Sequence, residues 1–291
     1  MVEKKLGIAY NVFDGEELLP YSLQCVRDTA HYIVVVYQTT SNFGNTNENL
    51  LPLLEQLKSQ NLIDELVEYH PSLELVDEWG NKVHNVGSIN EQRKRNIGLE
   101  KCLDNDCGVF SSMDTDEMYL FEDYSKALKD FIDGGFDSSF CQMQTYYKRP
   151  TMMVTPPETY FVPLFYKTSG RRSKLRFEFI QDYQVKCDGT RMIRAGFPKM
   201  FTRDEIEMHH FSYVRNTLDS KVANSSAQMG KREKEMVVSH FNNWSYGDKG
   251  IFLGNQIFDL VETDNLFGIQ FNDYSHKIDF PNFVNETKKI L

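Results

Sequence analysis

The stretch Ser111-Ser112-Met113-Asp114-Thr115-Asp116-Glu117 sets two carboxylates two residues apart, directly after an apolar run that reads as a buried strand. From such a turn Asp114 and Asp116 can reach one hard divalent cation, leaving its other positions for phosphate oxygens and water. In open α/β sheets, ligands bind at that carboxyl edge. The competing reading is a solvated turn or a helix cap, because Asp-x-Asp recurs by chance. A second cluster, Glu207-Met208-His209-His210-Phe211-Ser212-Tyr213-Val214-Arg215, offers imidazole, a competent Mn²⁺ ligand beside carboxylates. Adjacent histidines on a strand point to opposite faces, so only one of the two can serve. Charge is a third feature: residues 148–203 hold twelve basic and four acidic side chains, in a chain of formal net charge −10. An anionic ligand would be drawn there, most of all to Arg171, Arg172 and Lys174; a solvated basic hairpin accounts for the segment equally well.

The first 140 residues must position these groups, and they alternate between two periodicities. Residues 6–12 read as a strand, followed by a helix with Glu16 and Glu17 near its start, Pro20 in its first turn, and Leu19, Leu23 and Val26 on one face. Residues 31–37 form a β-branched run suited to a strand buried on both faces. Leu50, Leu53, Leu54 and Leu57 mark an amphipathic helix, and 62–69 a third strand. Ser88 with Glu91 fits a capping box opening a helix to about Leu103. Residues 109–113 are the next strand, and Phe121, Tyr124, Leu128 and Phe131 recur at helical spacing. Such alternation predicts a mostly parallel sheet covered by helices. Beyond 136, aromatic-rich strands are expected at 136–147, 160–168, 175–185 and 205–211, as an antiparallel extension. Helices are expected at 218–227 and 230–241, before an unassigned tail rich in Phe and Asn.

With 291 residues, 41 % hydrophobic and 13 % aromatic, the chain can build a sizeable core, which excludes global disorder. Its acidic balance excludes a nucleic-acid coat. The longest aliphatic run, 33–36, falls far short of the roughly 18 to 20 residues that cross a bilayer, and the N-terminus has no apolar signal core. A soluble, cytoplasmic protein without a transmembrane segment is expected, with peripheral membrane contact compatible. Five cysteines, an odd and scattered set, point to reduced thiols; Cys102 and Cys107 lack a second close pair for a zinc site.

Several of these segments, in order, resemble the GT-A glycosyltransferases, especially family 2. Tyr10-Asn11 with Glu16 and Glu17 is similar to the opening strand, turn and helix. Val34-Val35-Val36-Tyr37 and Gln38-Thr39-Thr40-Ser41 are similar to the second strand and nucleotide-binding turn. Arg95-Asn96-Ile97-Gly98-Leu99 resembles the Arg-Asn-x-Gly helix, with the Asp-x-Asp nineteen residues after its arginine. The resemblance covers about 120 residues. It implies transfer of a sugar from a nucleotide-diphosphate donor, UDP- or GDP-linked, to a glycan or glycolipid acceptor. Asp114 and Asp116 would hold Mn²⁺ or Mg²⁺ against the diphosphate, neutralising charge on the leaving nucleotide. Arg95 would contact the nucleotide or its phosphates, with Asn11, Glu17 and Gln38 around the donor. The late histidine, aromatic and basic residue of many GT-A enzymes match His210, Tyr213 and Arg215, which favours His210 over His209 as third ligand; Arg215 would grip a phosphate or pair with an acid. One departure is the second strand's end, where the family carries acidic residues and this chain has Gln38, Thr39 and Thr40.

An inverting transfer also needs a carboxylate near the acceptor hydroxyl. Asp182 and Asp188, in the basic segment, are the candidates; a turn with Gly189 explains Asp188 otherwise. Trp79, Tyr146, Tyr147, Phe161, Phe165 and Tyr166 could stack on a sugar, but aromatic strands more often pack a core. Asp188-Gly189-Thr190-Arg191-Met192 resembles part of a sugar nucleotidyltransferase signature, and its place in mid-chain marks it as coincidence. The expected fold is α/β: a GT-A, Rossmann-like, mostly parallel sheet with helices on both faces, an antiparallel extension and a C-terminal helical segment. Residues 1–215 would form the catalytic domain and 216–291 an extension packed on it. The rival readings are a sugar nucleotidyltransferase, for which 10–15 lack the glycine loop, and a catalytically silent sugar-nucleotide or glycan binder.

Overall fold

A computed structural model describes residues 5–170, 175–180, 185–215, 218–224, 230–248, 250–253 and 256–270. Its first half alternates as β1 (Leu6–Val12), α1 (Leu19–Arg27), β2 (Tyr32–Tyr37), α2 (Leu50–Ser59), β3 (Glu65–Glu68), α3 (Val86–Asp104), β4 (Val109–Met113), β5 (Glu117–Met118) and α4 (Phe121–Asp133). Then come β6 (Ser138–Tyr147), β7 (Met152–Thr155), β8 (Phe161–Lys167), β9 (Pro198–Met200), β10 (Glu207–Tyr213), α5 (Asp219–Asn224), α6 (Lys231–Asn243), β11 (Ile251–Leu253) and β12 (Gln256–Glu262).

Strands β3, β2, β1 and β4 lie side by side, all parallel. The sheet continues through β8, antiparallel to β4 and β6, and β10 joins β6 in parallel. The extension mixes directions: β6, β9, β10 and β12 run with the first four strands while β5, β7, β8 and β11 oppose them, so most of its pairings are antiparallel, as expected. β-branched β2 is buried at every position, as a central strand covered on both faces requires. Alternation along β1 sends Ile8 and Tyr10 into a core with α1, α2 and α4, and Ala9 into a second core under α3. Helices thus cover both faces, as expected.

Three expectations need correction. The helix expected to open at Ser88 begins at Val86, with no side-chain cap, and so leaves Ser88 and Glu91 inside α3 rather than in a capping box. Residues 175–180 form no strand, only an isolated bridge between Phe177 and Ile193; 181–184 lie outside the described residues. The C-terminal part is not purely helical, since β11 and β12 form a hairpin whose β12 pairs with β7. It shares a core with the body through Tyr147, Val154, Phe241 and Phe258. The aromatic residues Tyr146, Tyr147, Phe165 and Tyr166 are buried, in keeping with packing, whereas Trp79 is exposed. All five cysteines are free.

What sets the height of α3 above the sheet is Gly98. A Cβ there would stand 2.5 Å from Ala9 Cβ and 3.5 Å from Val36 Cγ2. Ala9 belongs to a central strand and cannot yield without moving the sheet. Gly98→Ala is expected to destabilise the fold by about 1–3 kcal/mol through overpacking, despite alanine's better helix propensity. Urea unfolding of the two proteins checks this; equal midpoints would contradict the close approach.

Candidate functional site

A cleft of about 650 Å³ opens at the carboxyl ends of β1, β2 and β4. Asn11 and Gln38 line it from β1 and the end of β2, and Asp114, Thr115 and Asp116 from the turn after β4. One face of α3 contributes Ser88, Glu91, Lys94 and Arg95. Opposite stand Tyr160, Asp188, Thr190, His210, Ser212 and Lys221. The turn is fixed from below. Thr115 Oγ1 donates to the Asp14 carbonyl at 3.1 Å, Ser22 Oγ donates to the Glu117 carbonyl at 2.5 Å, and Phe211 N donates to the Asp116 carbonyl at 2.8 Å. Gly15, at φ +89°, has no room for a side chain, because a Cβ would lie 2.1 Å from Thr115 Oγ1.

Each carboxylate of the turn meets a cation. Arg95 Nη2 donates to both oxygens of Asp114 at 3.0 Å, while its Nη1 donates to Ser112 Oγ at 2.8 Å. Asp116 is gripped by Lys221 Nζ at 2.5 Å and approached by Arg215 Nη2 at 3.4 Å and His210 Nε2 at 3.7 Å. Burial alone would raise the Asp116 carboxyl, but Lys221, His210 and Arg215 hold it well below the usual carboxylate range. Buried Glu117 receives both arms of Arg191, one at 2.9 Å, and Arg191 also donates to the Ser112 carbonyl at 2.7 Å. Burial opposes the Arg191 charge, yet Glu117 and Asp114 push its affinity for the proton upward.

The histidines divide as strand geometry demands. His209 faces the core, where its Nδ1 bonds the Tyr146 hydroxyl at 2.9 Å and its ring meets Phe267. His210 faces Asp116; burial pulls its pKa down to about 4, so the imidazole is neutral at neutral pH. Its Nδ1 is buried without a partner among the described residues.

Other candidates are placed as follows. Asn11 Oδ1 and Gln38 Oε1 are buried and unpaired at the cleft wall, as groups awaiting a ligand would be. Arg95 lines the cleft but directs its terminal nitrogens at Ser112 and Asp114, not outward. Glu17 is absent from the lining and pairs with Arg215 at 3.4 Å. Arg215, buried, pairs with these two acids. Asp188 lines the cleft while its Oδ1 accepts from Thr190 N at 2.8 Å, capping the short 3₁₀ turn Gly189–Arg191. Asp182, like Arg171, Arg172 and Lys174, lies outside the described residues.

Sequence reasoning missed Lys94, Lys221 and the Arg191–Glu117 pair. Lys94 had a legible signal, standing one turn before Gly98 and so over the same strand ends. Arg191 sat in a fragment read as coincidence. Lys221 had no signal, being 105 residues from Asp116 in sequence.

No family profile matches the chain, and no curated protein matches its sequence. Among solved structures, a 349-residue fragment of S. aureus TarS is similar at 11 % identity, over 82 % of this chain and 71 % of that one, with a TM-score of 0.46. The same fragment in complex with UDP-GlcNAc aligns over 82 % and 72 %, with a TM-score of 0.45. GalNAc-T7 with UDP, GalNAc and Mn²⁺ aligns at 12 % identity over 67 % of this chain and 30 % of that one, with a TM-score of 0.37. The mostly parallel sheet, the helices on both faces and the acidic turn at the carboxyl edge are features that the GT-A resemblance implied. No helix among the described residues is long and apolar enough to cross a membrane.

Lys94 gives a test independent of any substrate. It is 3 % exposed, and burial lowers its pKa from 10.5 to about 8. Below pH 8 it is a buried cation that costs stability. Between about pH 8 and 10.5 the unfolded chain keeps a proton that the folded one has lost, so wild-type stability rises with pH across that window. Lys94→Met is therefore expected to melt higher than wild type at pH 7, by at least roughly 2 °C, with the gap narrowing above pH 8. Differential scanning calorimetry at pH 7 and 9.5 checks both parts.

Proposed function

We propose that the protein is a glycosyltransferase of the GT-A type, moving one sugar from a UDP- or GDP-linked donor to a glycan or glycolipid acceptor. The observation that carries the reading is the Asp114-Thr115-Asp116 turn at the carboxyl edge of a mostly parallel sheet, facing a cleft walled by the ends of β1 and β2. That cleft has the volume of a small-ligand site, and its unpaired amide oxygens suit a nucleoside. Asp188, at the same cleft, is the proposed base of an inverting transfer: the acceptor oxygen attacks the anomeric carbon, the bond to the diphosphate breaks, and the hydroxyl proton passes to the carboxylate. Its second oxygen, not held by Thr190, would do this.

A divalent cation, Mn²⁺ or Mg²⁺, belongs to this reading on Asp114, Asp116 and His210. The donor chemistry fits, with two ionised carboxylates and a neutral imidazole turned toward one of them. Among the described residues no three acidic, histidine or cysteine side chains stand close enough to enclose an ion, and Lys221 holds Asp116. Metal and Lys221 thus compete for one carboxylate. When bound, the ion would offset charge on the departing nucleotide. Residues 216–291 are proposed as an extension packed on a catalytic part formed by 1–215, and the enzyme as a cytoplasmic one working free or at a membrane surface.

A screen of UDP-, GDP-, dTDP- and CMP-sugars with Mn²⁺, Mg²⁺ or EDTA tests the function. A donor at 100 Kd would stabilise the fold by about 2.7 kcal/mol. The expected outcome is a shift with one nucleotide and slow release of its diphosphate. Pyrophosphate release from nucleoside triphosphate and sugar phosphate would instead indicate a nucleotidyltransferase, and binding without turnover a silent binder. Asp116→Asn is expected to lower kcat at least 100-fold. Lys221→Met is expected to lower the Mn²⁺ concentration giving half-maximal binding several-fold by removing the competitor; an unchanged titration would remove the metal site from the proposal.

A further inference from the structure

The cations around the cleft are nearly all spoken for. Arg95 is held by Asp114 and Ser112, Arg191 by Glu117, Arg215 by Glu17 and Asp116, and Lys221 by Asp116. Lys94 differs. Its side chain is 3 % exposed and lines the cleft, yet it makes no hydrogen bond or ion pair among the described residues. Glu91 on its own helix, Asp14 after β1 and Asp114 after β4 are near enough to favour its charge, and Arg95 to oppose it, but none of the acids comes within ion-pair distance. An ammonium on a nearly buried side chain, without a counter-ion, is a costly arrangement in a resting protein, and it becomes favourable once a full negative charge occupies the adjoining space. A nucleobase carbonyl brings only a dipole; a phosphate brings the charge.

We infer that Lys94 is the residue that grips the diphosphate of the ligand, between the nucleoside wall formed by Asn11 and Gln38 and the acidic turn at Asp114. The inference rests on the proposed donor class for the ligand's nucleoside, though the anionic contact itself does not require it. It reassigns the phosphate-contacting role from Arg95, whose guanidinium is spent on holding Asp114, to its neighbour on α3. Arg95 becomes a positioning residue for the carboxylate.

Isothermal titration calorimetry in EDTA, on the full chain, provides the test, with inorganic pyrophosphate, UDP, GDP, uridine and guanosine as probes. Wild type is expected to bind pyrophosphate and one nucleoside diphosphate. Lys94→Met should weaken both at least tenfold while leaving the matching nucleoside within twofold, a split that a merely structural loss would not give. Lys94→Gln, which keeps a polar head, serves as the second variant, with the same loss expected. Equal weakening of nucleoside and diphosphate, unchanged diphosphate binding in both variants, or no binding of any phosphate probe by wild type would overturn the role of Lys94. Pyrophosphate binding that depends on Lys94, with no nucleotide sugar recognised, would uphold it and sink the transferase reading instead. Donor turnover in wild type that persists unaltered in Lys94→Met would do the reverse.

Discussion

Three carboxylates within four residues, two of them almost wholly buried, form the constraint on which the rest of the structure depends. Such a turn cannot be removed from water unless cations come with it. They arrive from four separate places: Arg95 from α3, Arg191 from the 3₁₀ turn, Arg215 from the end of β10 and Lys221 from α5. The sheet order brings the strand ends together, but the acidic turn dictates which side chains must meet there. Its backbone is tied as firmly, through Thr115 to Asp14, Ser22 to Glu117 and Phe211 to Asp116.

Against that background, the polar atoms left without partners acquire meaning. A structure that neutralises Asp114, Asp116 and Glu117 so thoroughly nevertheless leaves Asn11 Oδ1, Gln38 Oε1 and His210 Nδ1 buried without partners among the described residues, and Lys94 without a counter-ion, all on residues that line the cleft. Buried polar groups are normally satisfied, so a run of exceptions bordering a cleft describes the outline of what enters it.

Much of this was legible in the residues. The β1 to α4 alternation followed from periodicity, because each element there buries a stripe or a face against its sequence neighbours. The acidic turn and the division between His209 and His210 followed from strand geometry. What stayed hidden was set by distant partners. The capping box at Ser88 fitted a motif, but the helix starts earlier, at Val86, with no side-chain cap. The β11–β12 hairpin is short and exists through pairing with β7, a contact that local pattern does not encode. Arg95 illustrates the limit most clearly: its segment was recognisable, yet only the position of Ser112 and Asp114 tells that its charge is already engaged.

The Lys221–Asp116 ion pair also bears on how the chain is made. Synthesis runs from the N-terminus, so β1, a central strand, emerges about a hundred residues before its neighbour β4, and Asp116 leaves the ribosome well ahead of Arg191, Arg215 and Lys221. Until those cations follow, the acidic turn is better left hydrated than buried, and the sheet edge that carries it has reason to stay open. Long-range closure of this kind slows folding. Completion of the cleft and completion of the fold would then be one late event, and a nascent chain truncated before α5 would carry the acidic turn with Arg95, Arg191 and Arg215 but without Lys221, the cation that grips Asp116.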